Sequence, residues 1–596
     1  MAQRNTYRDD EELDERINLH DILRIGVYLK PYLARIVRIL CVIVMMSCIA
    51  VAVPYLTKIV VDEVIPHKDL RTLSLLVVAM GVLIVIYEFG LRYRTVEITR
   101  VGQLMLKDMR RDLFTHIQTL PFSYFDSRPH GKILIRVVNY VNTLSDTLSS
   151  GLINVISDVF TFLITMVVMF VVDWRLALFS LALFPLLIVW VLVLQHFQRR
   201  AYQALSNKQS NLNAYIHESI AGVKTTQAFA REAEQFRTFQ EQQNEVRSAW
   251  MRAVHVQTLM WPGIQTISVM TIALIYYVGV TGFGAVNVTT GVLIAFVGYA
   301  NNFWNPVISI GNFYNQLITC SAYLERIFET LDVEPAIRNA PGAIDLPQIE
   351  GRVDFDDVVF RYEPDGRNIL NAIDLHVDPG KTIALVGPTG AGKTTIINLL
   401  SRFYDVAEGS VAIDGHDVRD VTLESLRRQM GVMLQDTFIF SGTVRENIRY
   451  GRLDATDEEI MAAARAVHAH EFIMDLPDGY DTVVQERGST LSAGQRQLIA
   501  FARVLLADPR ILILDEATSN IDTRTEEALQ AGLNHLLKGR TSFIIAHRLS
   551  TIENADEICY IDHGRIVEQG SHAELLARKG AYWRLYESQY AMIKAE

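Results

Sequence analysis

Residues 382–395, TIALVGPTGAGKTT, join a short apolar run to a glycine-rich loop that matches the pattern G-x-x-x-x-G-K-[ST]. The glycines let the backbone wrap around phosphates, Lys393 can reach a β- or γ-phosphate, and the Thr394 hydroxyl can bind Mg²⁺. The pattern G-x-x-x-x-G-K-[ST] alone also occurs by chance in unrelated sequences. Because a strand pattern precedes the loop and a helical pattern follows it, the sequence predicts a nucleotide-binding α/β domain around these residues.

A second strand pattern, ILILDE at residues 511–516, ends in two acidic residues. Its four apolar residues predict a buried strand that ends at Asp515, where a carboxylate suits Mg²⁺ directly or through water. Glu516 is then the candidate base or positioner for an attacking water. Taken alone, such a pair is more often a solvated strand end. Following a phosphate loop in the same chain, the pair favours a functional site over a solvated strand end.

The composition differs from that of an ordinary soluble protein. The 596 residues are enough for roughly two or three domains. Hydrophobic residues make up 50% of them, and the mean hydropathy is +0.18. The net charge of −11 gives no sign of a nucleic-acid partner. The acidic N-terminus does not resemble a cleaved signal peptide, and residues 19–32 predict an amphipathic helix that lies on the membrane surface or packs on protein.

Long apolar stretches in the first half of the chain predict six transmembrane helices. Basic residues concentrate near one set of span ends, which predicts that this side is cytoplasmic. Polar helical segments at 92–150 and 197–257 fall on the same side and are too long for turns, so we expect the helices to continue far beyond the membrane. The first four spans are 39–57, 72–91, 151–172 and 176–196. The fifth and sixth lie between Arg252 and Glu325 and are divided by Gly282, Gly284, Asn287 and Gly291.

The composition of the chain changes after Glu325, where a polar segment that contains prolines predicts a linker. From Gly351 onward, short β-rich runs alternate with helical patterns, as in an α/β domain. The sequence therefore predicts an α-helical membrane domain at 1–330, with an N-terminal helix leading into it. A linker at 331–350 and an α/β P-loop ATPase domain at 351–596 follow.

The order of the remaining motifs resembles that of one family. The phosphate loop, LQD with Gln435, LSAGQRQ from Leu491, ILILDE, SNID and AHR with His547 follow one another as in the nucleotide-binding domain of ABC transporters. Six spans before one such domain resemble the exporter-type half-transporters. In that family the signature motif, here LSAGQ, faces the ATP held by a partner domain. The resemblance therefore implies a dimer with two composite sites, formed with an identical or a paralogous chain.

The resemblance also implies a role for each matching residue. Glu516, His547 and Gln435 would act in hydrolysis. The residues implied to hold Mg²⁺ are Thr394, Gln435 and Asp515. The residues implied to surround ATP are Tyr362, stacked on adenine, then Gly387, Pro388, Thr389, Gly390, Ala391, Gly392, Lys393, Thr394 and Thr395, and, at the dimer interface, Ser492, Gly494, Gln495 and Asp522.

The motifs depart from the family pattern at three places. Ala493 replaces a glycine of the common LSGGQ, but alanine keeps the backbone N–H and fits where φ is negative. Gln485 stands where the family often has glycine, and SNID differs from the commoner SALD. Such variants occur among halves of heterodimeric multidrug exporters, so self-pairing stays open. Because Glu516 and His547 are present, we expect this chain's own site to be competent.

Two segments at the far ends of the polar extensions resemble the family's coupling helices, which dock in grooves of the nucleotide-binding domains. They are residues 120–138 and 217–234. We expect the groove near Phe438 and Phe440, two apolar residues shortly after Gln435.

The resemblance implies ATP-driven export of amphipathic small molecules or lipids by alternating access. It implies a multi-pass protein of the bacterial plasma membrane, in contact with the lipid bilayer and with its nucleotide-binding domain in the cytoplasm. The alternatives are a dedicated lipid or peptide exporter and an ATP-gated channel on the same scaffold. The six spans and the lack of a long heptad-repeat arm disfavour a soluble P-loop ATPase of DNA repair.

Polar residues within the predicted spans are candidate cargo contacts. Glu88 and Asp158 are acidic, although Glu88 can instead pair with Arg92 one turn on. A polar stripe in the sixth span falls on one face of a helix, and Pro306 within it predicts a kink. We hypothesise that the stripe lines the translocation cavity, with hydrogen bonding between helices as the alternative. Its members are Asn301, Asn305, Ser309, Asn312 and Gln316.

Overall fold

The structure, a computed structural model, describes residues 19–126, 128, 133–134, 136–145, 151–282, 288–363, 366–433, 437–515, 523–545 and 552–595. The chain divides into two compact units. The first comprises Met1–Gln118 and Pro129–Val333, and the second comprises Thr119–Arg128 and Glu334–Glu596. The short segment Thr119–Arg128 thus belongs with the second unit, although it interrupts the first in sequence. The predicted boundaries at 330 and 350 stay predictions.

The first unit is helical. Its α-helices are α1 Leu19–Arg24, α2 Gly26–Leu29, α3 Leu33–Ile59, α4 Ile65–His67, α5 Leu70–Ile117, α7 Val141–Ser145, α8 Leu152–Val172, α9 Trp174–Leu181, α10 Phe184–Ala221, α11 Val223–Ala228, α12 Glu232–Thr258, α13 Met260–Thr281, α14 Thr290–Ala300 and α15 Trp304–Leu331, while α6 Phe122–Asp126 belongs to the second unit. Short π-helical turns occur at Val60–Val64 and Arg136–Tyr140, and 3-10 turns at Lys30–Tyr32 and Asn301–Phe303.

Five helical stretches are long and apolar enough to cross a membrane. They are His20–His67, Leu70–Ile117, Ile153–Val172, Trp174–Ala221 and Glu232–Thr281. The second has 48 residues, or about 72 Å at 1.5 Å per residue, whereas the hydrocarbon core is about 30 Å thick. The helices therefore extend well past the apolar region, as the polar segments at 92–150 and 197–257 predict.

The region of the predicted sixth span is divided rather than continuous. Helix α14 has 11 residues, and the 3-10 turn Asn301–Phe303 separates it from α15. The break comes directly before Pro306, which has no N–H to donate to the carbonyl of Asn302 and whose ring crowds that carbonyl. The predicted kink stays a prediction, although the regular helix is interrupted next to Pro306. At the other predicted break, α13 ends at Gly282, which has a left-handed φ of 66° that favours glycine.

The second unit is an α/β domain with two main sheets. Its strands are β1 Val353–Phe360, β2 Leu370–Val377, β3 Thr382–Val386, β4 Glu408–Ile413, β5 His416–Asp417, β6 Met430–Met433, β7 Gly442–Thr443, β8 Val483–Val484, β9 Ile511–Asp515, β10 Thr541–Ile545, β11 Glu557–Asp562 and β12 Arg565–Gly570. Its further α-helices are α16 Lys393–Leu400, α17 Leu423–Arg428, α18 Val444–Arg449, α19 Asp457–Ala466, α20 His470–Met474, α21 Ala493–Ala507, α22 Thr523–Leu537, α23 His572–Arg578 and α24 Ala581–Ala595, and short 3-10 turns lie at Gly479–Asp481 and Glu486–Gly488.

The larger sheet has the strand order β12-β11-β3-β10-β9-β6. Its five strands from β11 to β6 are parallel, and β12 pairs with β11 in the antiparallel sense. The smaller sheet, β2-β1-β4-β5, is antiparallel. All residues of β10 are buried, as are the first four of β9. Parallel strands covered on both faces read as continuous apolar runs, which is why β3, β9 and β10 were predictable.

Candidate nucleotide-binding site

Four neighbouring parallel strands bring the predicted nucleotide motifs to one edge of the sheet. In the order β3-β10-β9-β6, their carboxyl ends lie side by side. The register pairs Ile545 of β10 with Leu385 of β3 and with Asp515 of β9. The phosphate loop therefore starts at the same edge of the sheet as Asp515, with β10 between them, as expected for a ligand site at the carboxyl ends of parallel strands.

The phosphate loop has a backbone that only glycine accommodates without strain. Gly387, Gly390 and Gly392 have φ values of 144°, 82° and 109°. A Cβ on Gly387 would lie 2.0 Å from the carbonyl oxygen of Ile561, whereas one on Gly390 would meet nothing within 4 Å. The loop thus packs tightly on its sheet side and is open at Gly390, a shape that fits a phosphate chain.

Lys393 begins α16 and folds back over the loop. Its Nζ donates to the carbonyl oxygens of Gly387 at 2.7 Å and Pro388 at 3.0 Å. The residue is only 8% exposed, and burial lowers the pKa of Lys393 while the negative charge of Asp515 opposes that shift. A buried ammonium held by two neutral carbonyls is matched better by phosphate oxygens, because charge-assisted hydrogen bonds are the stronger ones.

Tyr362 lies next to the helix that follows the loop. Its hydroxyl shares a hydrogen bond of 3.0 Å with the hydroxyl of Thr395. Its ring packs edge to face on Phe360 and Tyr404, with centroid separations of 4.9 and 5.1 Å. The ring is nevertheless 46% exposed, so one part is fixed by protein and the rest can cover a flat aromatic base.

The signature segment LSAGQ forms a capped helix start. Ser492 is the N-cap of α21, and its Oγ accepts from the N–H of Gln495 at 3.2 Å. The side chain of Gln495 in turn accepts from the N–H of Ser492 at 2.9 Å, which completes a capping box. Ala493 is exposed and lies in the first turn of α21 rather than among the residues with positive φ. Alanine at this position therefore introduces no backbone strain, as predicted.

Several predicted site residues lie outside the described residues. These are Gln435, Glu516, Asp522 and His547. The strands that precede three of them are described. Strand β6 ends at Met433, β9 at Asp515 and β10 at Ile545. These three strands are neighbours in the sheet, and β10 lies next to β3, the strand that leads into the phosphate loop.

Comparison with known proteins decides the family. Residues 36–307 match the family model described as "ABC transporter transmembrane region", and residues 370–519 match the model described as "ABC transporter". The protein named "Uncharacterized ABC transporter ATP-binding protein YknV" of Bacillus subtilis (strain 168) is 41% identical over 99% of this chain and 98% of its own length. This chain is an ABC transporter.

Two further relatives place this ABC transporter in the exporter class. The "ATP-dependent lipid A-core flippase" of Syntrophus aciditrophicus (strain SB) is 35% identical over 94% of this chain and 93% of its own length. A solved structure titled "Structure of a bacterial Atm1-family ABC exporter with ATP bound" superposes with a TM-score of 0.76 at 29% identity, covering 93% of this chain and 98% of that one. The transporter is a membrane protein that binds ATP and couples its hydrolysis to export.

The transporter's α6 packs within the second unit on two aromatic residues that the sequence analysis did not name. The ring of Phe122 lies 4.2 Å from that of Phe403, and the Tyr404 hydroxyl donates to Asp126 at 2.9 Å. Burial and the carboxylate of Asp126 raise the pKa of Tyr404. The groove near Phe438 and Phe440 stays a prediction. The sequence signal for the observed contact was the aromatic pair that follows the helix after the phosphate loop.

The polar stripe of the transporter's divided last helix contacts α8 through Ser309. The hydroxyl of Ser309 donates to the carboxylate of Asp158. This contact favours hydrogen bonding between helices over the cavity hypothesis for Ser309, whereas Gln316 is exposed. Asn301 and Asn312 are exposed, and the side chain of Asn305 lies outside the described residues.

Glu88 and Arg92 of the transporter do not form the predicted ion pair in the part of the chain that the structure describes, and Glu88 is exposed. A cavity of about 620 Å³ lies between α10 and α15, and no sequence pattern predicted it. Val307, Ile310 and Gly311 line it from α15. At about 100° per residue, these positions lie opposite the polar stripe.

Proposed function

We propose that this transporter is one half of a dimer that exports amphipathic small molecules or lipids, with two ATP molecules bound between two nucleotide-binding domains. The observation that carries the proposal is the adjacency of the strand ends of β3, β10, β9 and β6 within a domain fused to long apolar helices. The lipid flippase named above supports a lipid-like cargo. A dedicated lipid or peptide exporter and an ATP-gated channel remain the alternative functions.

The residues of the loop would bind and orient ATP. The backbone from Gly387 to Thr395 would surround the phosphates, and Lys393 would exchange its two carbonyl partners for phosphate oxygens. Tyr362 would cover the adenine with the exposed part of its ring. Fixing the phosphates in this way positions the terminal phosphorus for in-line attack by water.

Mg²⁺ fits the donor set at the edge of the sheet. The Thr394 side chain is exposed next to the loop, and the half-buried carboxylate of Asp515 lies at the end of β9. Hydroxyl and carboxylate oxygens are ligands that Mg²⁺ prefers, and the proposed set is completed by Gln435. The bound ion would neutralise phosphate charge. Glu516 would position or deprotonate the water, and His547 would hold the water and the terminal phosphate.

The signature segment would act on the ATP of the second chain. Ser492 and Ala493 are exposed at the start of α21, and a helix N-terminus favours an anion. Ser492, Gly494 and Gln495 would contact the terminal phosphate there, while Asp522 would lie at the interface. The partner is an identical or a paralogous chain.

We propose a multi-pass arrangement in a bacterial plasma membrane, with six spans in which α14 and α15 together form the sixth. The nucleotide-binding domain would lie in the cytoplasm. The long polar extensions α5, α10 and α12 would carry the closure of the ATP sites to the membrane region. Helix α11 is a candidate coupling helix for the partner chain, because the neighbouring Ile220 and Phe229 are exposed apolar side chains.

Hydrolysis by the predicted residues is tested with purified transporter in lipid nanodiscs. Glu516→Gln should retain ATP binding and nearly abolish steady-state turnover, and Lys393→Ala should lose both. Lys381→Ala is the matched control, because Lys381 is an exposed lysine directly before β3 that bonds Asp556. Normal turnover by Glu516→Gln in a homodimeric preparation would refute the assignment.

Sharing of sites between chains is tested in mixed dimers. When Ser492→Ala is placed in one chain and Lys393→Ala in the other, both losses should fall on one composite site and leave the other intact. About half of the normal ATP occupancy should then survive, since one of two sites is spared. Equal damage to both sites would mean that the signature serves the ATP of its own chain. Stimulation of turnover by cargo separates an exporter from an ATP-gated channel.

A further inference from the structure

The chain enters the second unit at two separate places. One is Thr119–Arg128, which contains α6, and the other is the predicted linker, which belongs to this unit from Glu334 onward. Both segments reach the turn at residues 402–404, here called the 402–404 turn. This turn follows α16, a helix of eight residues that starts with Lys393 of the phosphate loop. Two entries into the nucleotide-binding domain therefore meet within one short helix of the ATP site.

Arg402 is a buried charge with three acceptors. Its Nε donates to Asp405 at 3.1 Å, its Nη1 to the carbonyl oxygen of Val421 at 3.2 Å, and its Nη2 to the carbonyl oxygen of Arg338 in the linker at 3.0 Å. The residue is 3% exposed. Its φ is 48°, in the left-handed region that a residue with a Cβ adopts at a cost. Three bonds from one planar group therefore hold the turn in a conformation that the backbone alone disfavours.

The linker itself is held by a short ladder of backbone hydrogen bonds. The N–H of Ile344 donates to the carbonyl oxygen of Asp420 at 3.0 Å, and the N–H of Thr422 donates to the carbonyl oxygen of Ile344 at 2.9 Å. Val421, which lies between the two partners of Ile344, is one of the acceptors of Arg402. The guanidinium therefore joins the 402–404 turn to both sides of the ladder, through this carbonyl and through the linker carbonyl named above.

The other two residues of the turn contact α6. The ring of Phe403 lies 4.2 Å from that of Phe122, and the Tyr404 hydroxyl donates to Asp126 at 2.9 Å. The ring of Tyr404 also packs edge to face on Tyr362, with 5.1 Å between the centroids. Because close-packed groups transmit displacement to their neighbours, a shift of the turn changes the surface on which α6 rests.

We propose that Arg402 is a positioning residue for the ATP-coupled reaction, because it makes the linker and α6 respond as one body. The linker acts on the turn through the carbonyl oxygen of Arg338, and the turn sets where Phe403 and Tyr404 meet α6. By thermodynamic linkage, a change at either segment alters the stability of the other by the same factor. The role depends neither on the cargo nor on whether the partner chain is identical.

Arg402→Gly tests the role directly, because glycine adopts the left-handed backbone without strain and removes the guanidinium. Amide hydrogen exchange is measured by mass spectrometry on the full-length transporter in lipid nanodiscs without nucleotide. Exchange of residues 119–126 should become about fivefold faster, at the low end of couplings between sites. Arg419→Gln is the matched control, since Arg419 also bonds an aspartate and a backbone carbonyl but, in the described part of the chain, neither the linker nor α6. Exchange equal to that of the parent would overturn the proposal.

The reverse experiment starts from α6. Asp126→Ala removes the acceptor of the Tyr404 hydroxyl at an exposed position, where the fold does not depend on it. Exchange of linker residues 338–346 should become faster by a similar factor, whereas Ser123→Ala, exposed on the same helix, should leave it unchanged. Contacts that act only locally predict no effect on the linker. Unchanged linker exchange in Asp126→Ala would therefore refute the proposal, also where Arg402→Gly does not fold.

ATP links this coupling to the reaction. Since Tyr404 packs on Tyr362, the ring proposed to cover adenine, ATP with vanadate should slow exchange of residues 119–126 and 338–346 together in the parent. A change confined to one segment, or to neither, would contradict a role of Arg402 in the ATP-driven step. This measurement alone rests on the proposed nucleotide contact of Tyr362, and the two measurements without nucleotide are independent of it.

Discussion

The backbone N–H of Gly291 donates to the carboxylate of Asp62 at 2.7 Å, which joins the end of the first long apolar helix to the start of α14. The hydroxyl of Thr289 bonds the same carboxylate. A carboxylate at this position satisfies an N–H that the helix itself leaves unpaired and favours the positive end of the helix dipole. Two segments more than 200 residues apart are thereby fixed to each other.

Removing this carboxylate should destabilise the membrane unit. We expect Asp62→Ala to cost about 1 kcal/mol, as for loss of a helix cap, and to lower the midpoint of thermal aggregation by about 2 to 4 °C. Gly291→Ala should be more harmful, because its Cβ would lie 2.6 Å from the carboxylate and from the carbonyl oxygen of Lys58. Heating followed by size-exclusion chromatography measures both. Glu63→Ala, an exposed neighbour, should leave the midpoint unchanged.

Ser492 has a structural role in addition to its proposed contact with ATP. Because its side chain closes the capping box with Gln495, Ser492→Ala should lose about 1 kcal/mol of helix stability together with ATP turnover. Ser492→Thr keeps a capping hydroxyl and should recover thermal stability. Thermal inactivation of the ATPase separates the two effects, with the exposed Ser489→Ala as control. If Ser492→Ala were as thermally stable as the parent, the capping role would be contradicted.

Arg24 holds α1 against the end of α15. Its guanidinium donates to both carboxylate oxygens of Asp332, at 2.6 and 2.7 Å, and lies 4.0 Å from the centroid of the Phe328 ring. The hydrogen bond from Arg24 lowers the pKa of Asp332. A lowered pKa in the folded state means that the stabilisation is fully present above the ordinary aspartate value of about 3.9. It is lost as the pH falls through the lowered value.

We therefore expect Asp332→Asn to loosen α1 at neutral pH, whereas the parent protein should loosen it only below about pH 4. The pair is partly exposed, so the effect is about 0.5–1 kcal/mol, or roughly a two- to fivefold loss of amide protection. Hydrogen exchange of residues 19–24 measures it. Glu325→Gln, an exposed acidic position on the same helix, should leave the exchange unchanged.

Two positions of the polar stripe of α15 should differ in how fast they react with a polar thiol reagent. In a protein whose four cysteines are replaced by alanine, a cysteine at Asn312 should react quickly with a polar thiol reagent, because this position is exposed. A cysteine at Ser309 should react slowly, because that side chain faces Asp158 of α8. Under the proposed alternating access, trapping with vanadate should shield Asn312. Equal labelling at both positions would mean that α8 and α15 separate at Ser309.

Much of the second unit could be predicted because its signals are local. The apolar runs of β3, β9 and β10, the glycines of the phosphate loop and the Ser492–Gln495 capping box each depend on residues close in sequence. The order of the strands in the sheet could not be predicted from local signals, because it depends on which strands pair across more than a hundred residues. The positions of Glu516 and His547 lie outside the described residues, and their assignment rests on motifs that follow β9 and β10.

In the membrane unit, local sequence signals predicted the helices but not the contacts between them. Hydropathy predicted the long helices, and Pro306 predicted the break before α15, because both depend on short stretches of sequence. The sequence did not predict that Ser309 would contact Asp158 or that Glu88 would form no ion pair with Arg92. It also did not predict that α6 would pack on Phe403 and Tyr404.

The sequence by itself determined the two kinds of domain, the family and the candidate catalytic residues, since each is carried by spacing along the chain. Only the tertiary structure decided which face of α15 meets α8, where Phe122 packs, and that a cavity lies beside α10. The physical reason is that one helix has several faces of similar polarity, and the choice among them is made by packing against segments distant in sequence.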